Sequence, residues 1–115
     1  MKFIDMHAHV YPDAIAGKAA MSIRNYYNGI GDEMTGTCGM LLERGAQAGI
    51  EAYLILPVAV KPEQVSSINR FARSQMDEHS CFYAFGTVHA AMDNITEEVA
   101  KIRKLGLKGI KIHPD

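Results

Sequence analysis

Excess charge of one sign is absent from this chain: 12 lysines and arginines stand against 13 aspartates and glutamates in 115 residues, a formal net charge of -1. That balance removes the electrostatic case for nucleic acid or an anionic membrane as partner. Cysteine is scarce as well. Cys38 and Cys81 lie far apart and form no CxxC pair, so they read as reduced, mostly buried thiols of a cytosolic protein. No apolar stretch approaches a membrane span, and the start lacks the basic-then-apolar order of a signal peptide. The expected location is the cytoplasm. Internal repeats, low-complexity tracts and linkers are missing too.

What is present is an ordinary globular composition, 48% hydrophobic and 22% charged, sized for one domain spanning residues 1–115. Strand-like and helix-like segments alternate. A first strand, Phe3 to about Val10, leads to an Ala-rich helix that starts at Pro12 or Asp13, runs to about Tyr27 and is ended by Asn28-Gly29-Ile30-Gly31. A second helix is expected from Cys38 to Ala48, capped by Thr37 and stopped by Gly49. The unbroken apolar run Ala52 to Val58 suits a strand buried on both faces. Pro62 and Glu63 open a third helix with Val65, Ile68, Ala72 and Met76 inward. Cys81 to Val88 reads as the third strand. Asn94 and Glu97 form a capping box for a helix with Ile95, Val99, Ile102 and Leu105 on one face, and Leu107 to Ile112 is the fourth strand.

Strand, helix, strand, helix, strand, helix, strand implies an α/β fold with a parallel sheet and right-handed crossovers. Either an open doubly wound sheet or part of an eight-stranded barrel satisfies that order. A Rossmann-type sheet wants a glycine-rich turn after the first strand, and His7-Ala8-His9-Val10-Tyr11-Pro12 is nothing like one.

Asp5, His7 and His9 are the most informative residues. Alternation along a strand puts them on one face, with Ile4, Met6 and Ala8 on the other. Two imidazoles side by side at a strand end suit one divalent metal, and a nearby carboxylate ligates it or orients a ligand. Four of the five histidines, His7, His9, His89 and His113, fall at C-terminal strand ends, which form the active-site face of parallel barrels. In the fourth strand Gly109, Lys111 and His113 share that interior, while Ile110 and Ile112 share the helix-covered side. Each residue also has a plainer use. The histidine pair can satisfy local hydrogen bonds, Asp5 can tie the strand end to a loop, and His89 and His113 can brace theirs. Lys111 can bind metal or substrate, or span the interior in an ion pair with Asp5. His79 reads as a surface residue.

With those residues in view, the chain resembles the N-terminal part of the amidohydrolase superfamily, within it the amidohydrolase-related group of hydrolases, lactonases and decarboxylases. The carriers are Ile4-Asp5-Met6-His7-Ala8-His9-Val10-Tyr11-Pro12-Asp13, Ala46-Gln47-Ala48-Gly49-Ile50, Phe85-Gly86-Thr87-Val88-His89 and Gly106-Leu107-Lys108-Gly109-Ile110-Lys111-Ile112-His113-Pro114. The resemblance implies a TIM (β/α)8 barrel, here a parallel βαβαβαβ unit truncated after its fourth strand. It implies a divalent metal, zinc ahead of manganese or iron, with His7 and His9 as ligands, Asp5 as ligand or orienting carboxylate, and Lys111 and His113 as catalytic candidates.

The reaction implied is attack by a metal-activated water on an amide, ester or lactone carbonyl of a small molecule. The alternatives are decarboxylation or hydration of a carboxylated substrate, which Lys61 and Lys111 would hold, and a metal-binding half-barrel without turnover. Further ligands, expected on the fifth, sixth and eighth strands, are absent, and two histidines do not complete a zinc site. Four parallel strands also leave open edges. The chain is therefore expected to be a fragment of a longer protein, or to pair with a second copy as a homo-oligomer, or to be a degenerate remnant, the fragment being favoured.

Overall fold

The computed structural model describes residues 1–29 and 35–113. Ile30 and Gly31, expected to end the first helix, lie outside the described residues. Contacts sort the chain into two compact units, residues 1–3 with 9–51 and residues 4–8 with 52–115.

The first unit holds helices α1 (Asp13–Tyr26) and α2 (Cys38–Ala48). Pro12 precedes α1, its carbonyl accepting from Ile15 and Ala16 N–H at 2.9 and 3.0 Å. Beyond Tyr26 the backbone turns through positive φ at Asn28 (55°) and Gly29 (76°). Thr37 caps α2, its Oγ1 accepting from Met40 N–H at 3.3 Å, and Gly49 ends it at φ 75°, where a side chain would be strained. Both ends of α2 fall where Thr37 and Gly49 put them.

The parallel sheet is assembled from β1 (Phe3–Ala8), β2 (Ile50–Ile55), β3 (Phe82–Ala84), β4 (Gly86–Thr87) and β5 (Ile110–Lys111). One ladder runs β1-β2-β3, the other β4-β5. Only Phe85 separates β3 from β4, and its N–H donates to Ile55 O at 3.1 Å. The segment from Phe82 to Thr87 is thus one extended strand that pairs with β2 in its first half and β5 in its second. The order follows the chain without reversal, as in a barrel and unlike a doubly wound sheet.

Four expectations need correction. The apolar run Ala52 to Val58 suits a strand buried on both faces. Instead Tyr53 and Ile55 are buried while Ala52 and Leu54 are only half-covered, and Leu54 neighbours Tyr83, which is 60% exposed. The side that carries Ala52 and Leu54 is only partly covered along β2, with Leu56 beyond the strand buried. Pro62–Gln64 forms a 3-10 turn before α3 (Val65–Glu78), and the fully buried inner positions of α3 are Val65, Asn69, Ala72 and Gln75. Asn94 precedes α4 (Ile95–Lys104) without a side-chain cap to the backbone, and the Glu97 carboxylate pairs with Lys101 Nζ at 3.0 Å instead. Ile110 and Ile112, expected under a helix, are 36% and 62% exposed.

The core of the second unit lies where α3 packs on β3 and β4, with α4 supplying Ile102. Gly86 is small because of it: a Cβ there would meet three Ile102 carbons within 2.9 Å. Tyr53 and Phe82 pack edge to face at 5.4 Å.

Candidate functional site

β1 puts Asp5 and His7 on one face. His7 is exposed and Asp5 half-buried, and Asp5 Oδ1 accepts the His7 backbone N–H at 2.9 Å. The carboxylate therefore covers an amide on the side of β1 away from β2, since Ala8 O is taken by Leu56 N–H at 2.9 Å on the β2 side. Asp5 and Cys81 add to the burial that pushes the Tyr53 phenol above its usual range.

His9 follows the last β1 residue, Ala8, and is half-buried. It belongs to the first unit, His7 to the second. The two histidines remain two residues apart in the chain, but only His7 lies within the ladder whose alternation was to align them.

Lys111 closes β5, half-buried, and its carbonyl accepts Thr87 Oγ1 at 2.9 Å. His113 stands exposed two residues on. His89 braces its loop: Nδ1 accepts from Ala91 N–H at 3.1 Å and its carbonyl from Met92 N–H at 3.1 Å. That is the plainer of its two readings. His79 is not a surface residue as expected, because it ends α3 half-buried with its ring 5.0 Å from that of Phe82.

Among the described residues, no group of three or more His, Cys, Asp and Glu side chains is gathered closely enough to hold a metal. His7 and His9 offer imidazole nitrogens of the kind zinc takes, but a structural or catalytic zinc needs at least a third protein donor.

The sequence reading missed a buried polar cluster at the C-terminal end of β4. Asn69 is fully buried, and its side chain joins β4 to α4 through Thr87 and Glu98, with Glu98 itself only 3% exposed. The available signal was a polar residue four positions after Val65 and three before Ala72, on the inner stripe of α3.

No family model matches the chain, and no curated protein matches it. Among solved structures, the chain is similar to an uncharacterized TIM-barrel protein from Bordetella bronchiseptica, with a TM-score of 0.74 and 19% identity. The match covers 99% of this chain and 44% of that one, so the chain spans less than half the length of the solved structure. The fold is α/β with parallel strands, of TIM-barrel type.

Proposed function

We propose that this chain is the N-terminal half of a metal-dependent hydrolase barrel of the amidohydrolase type, acting on an amide, ester or lactone of a small molecule. The observation that carries the reading is the His7-x-His9 pair at the C-terminal end of the first parallel strand of a TIM-barrel-type fold. That strand end is where such folds build their catalytic face. His113, just past the end of β5, comes from another strand end of the same kind.

A divalent metal, zinc first and manganese or iron after it, supplies an acidified water and polarises a carbonyl oxygen when bound. His7 and His9 are two of its donors, and the others come from outside the described residues. Asp5 holds the His7 backbone in place through its hydrogen bond to the N–H. Lys111 and His113 are the cationic and basic groups for a substrate carboxylate or a transferred proton.

Zinc titration of the chain, read by calorimetry, tests the donor assignment. Weak binding that falls more than about tenfold in both His7→Ala and His9→Ala supports it, each imidazole being one of few donors. Binding unchanged by either substitution overturns it. Hydrolysis of an ester and lactone panel that survives both chelation and His7→Ala removes the metal from the reaction. Metal binding without turnover in any assembly favours the non-catalytic half-barrel.

A further inference from the structure

We propose that Asn28 is a site of spontaneous deamidation whose rate is set by the C-terminal cap of α1, and that its conversion undoes that cap. The inference lies outside the metal chemistry and does not depend on it.

Two backbone bonds close the last turn of α1. Asn28 N–H donates to Asn25 O at 3.1 Å, and Gly29 N–H reaches back to Arg24 O at 2.8 Å. Such a pair of bonds forms around a residue in the left-handed region, here Asn28 at φ 55°. Glycine takes that position in most helices, and asparagine is the usual substitute. In this chain the glycine comes one residue later, at φ 76°. Both residues are exposed.

That order gives one N–H both a structural and a reactive role. The Gly29 nitrogen can close a five-membered ring on the side-chain amide carbon of Asn28, and glycine has no Cβ to shield it. Once the Gly29 N–H has lost its proton to solvent base, the nitrogen attacks Asn28 Cγ. A C–N bond forms, the Cγ–Nδ2 bond breaks, and Nδ2 leaves as ammonia. Water then opens the cyclic imide at one of its two carbonyls. Opening at Cγ gives aspartate, and opening at the main-chain carbonyl gives isoaspartate, with the chain running through Cγ. The balance is water in and ammonia out, with no change of oxidation state.

The proton that must be given up is the one that closes the helix. While it is bonded to Arg24 O the nitrogen is held from attack, so conversion proceeds from molecules whose α1 end has opened. Helix ends open at little cost in free energy, so the folded chain converts, but more slowly than the unfolded one. The coupling also runs the other way. Isoaspartate inserts a backbone carbon before Gly29, whose N–H then no longer fits Arg24 O. Aspartate keeps the backbone but sets a negative charge among the carbonyls that end α1, where the helix dipole disfavours it.

The other three asparagines lack this combination. Asn25 precedes Tyr26 inside α1, and Asn94 precedes the branched Ile95. Asn69 is fully buried, with its amide bonded to Thr87 and Glu98.

Peptide mass mapping of the 115-residue chain tests the proposal, after incubation at neutral and mildly alkaline pH, folded or unfolded in guanidinium chloride. The mass gain of an OH-for-NH2 exchange should localise to Asn28, appear as both isomers and grow faster at the higher pH. It should be more than about threefold slower in the folded chain than in the unfolded one. A20G, which loosens α1, should speed the folded chain about two- to fivefold and leave the unfolded rate alone. N28D, which carries the charge of one product, should melt below the parent. Equal rates in folded and unfolded chain overturn the proposal, since the cap would then control nothing. A folded chain that stays unconverted even as A20G, while the unfolded chain reacts, overturns the site. Conversion falling chiefly on Asn25, Asn69 or Asn94, or N28D and isoaspartate forms as stable as the parent, overturns it too.

Discussion

The side-chain amide of Asn69 clasps both backbone groups of Thr87: Oδ1 accepts its N–H at 2.7 Å and Nδ2 donates to its C=O at 3.1 Å. In a parallel strand the backbone groups of successive residues face opposite sides. Gly86 N–H turns to Gly109 O in β5, so those of Thr87 turn toward β2. β2 ends at Ile55, and Pro57 beyond it has no N–H to offer. Asn69 supplies from a helix the donor and acceptor that a neighbouring strand would have given. Its remaining amide hydrogen goes to Glu98 Oε1 at 3.0 Å, and Lys101 Nζ lies 3.7 Å from that carboxylate's other oxygen.

Asn69→Ala should therefore destabilise the chain by about 2–4 kcal/mol, with two buried backbone groups and a carboxylate losing partners. Asn69→Asp should cost at least as much at neutral pH, since it turns an acceptor toward Thr87 O and Glu98. Urea unfolding at fixed protein concentration measures both. Values near zero would mean that water replaces the amide without loss.

Gly86→Ala tests the packing of α4. The new methyl would press on Ile102, itself 3% exposed, at distances real side chains do not adopt. A loss of about 1–3 kcal/mol is expected for overpacking. Ile102→Ala alone should cost about 2–5 kcal/mol. The double variant should lose clearly less than the two together, because each change relieves the other. Additive losses would show that the two residues do not share the space.

How much of this was legible follows the range of the signals. The ends of α2 were, because Thr37 and Gly49 act within one turn of the helix they bound. The strand and helix order was, because the periods differ. The role of Asn69 was not: it depends on where β2 stops and on how α3 lies over β4, and neither is local. Exposure of Ile110 and Ile112 was missed for the same reason, since a β-branched run reads alike whether or not a helix covers it. For His7 and His9 the chain spacing was legible, but the ladder stops at Ala8, so alternation along a strand does not extend to both rings.

Thr37→Ala should cost about 1 kcal/mol, the usual worth of a helix N-cap. The hydroxyl bonds Met40 N–H and lies 3.0 Å from Thr35 Oγ1. Thr37→Ser and Thr37→Asp should retain most of the stability, because each keeps an oxygen where the helix wants one. Thermal melts of the four proteins check it, and an alanine variant as stable as the parent would remove the cap from the account.

Alkaline pH should weaken the chain through Tyr53. The ring is 2% exposed, and burial first, then the charges of Cys81 and Asp5, raises its phenol above the ordinary tyrosine range. In the unfolded chain that phenol loses its proton near its ordinary value, while the folded chain holds it to a higher pH. The unfolded state therefore binds fewer protons across that window, and stability falls as pH rises. The contribution is fully present below about pH 10 and is lost as pH climbs through the folded value. Tyr53→Phe should flatten that fall in urea midpoints taken on either side of pH 10, whereas Tyr83→Phe, on a ring that is 60% exposed, should follow the parent. An alkaline limb as steep in Tyr53→Phe as in the parent would place the responsible group elsewhere.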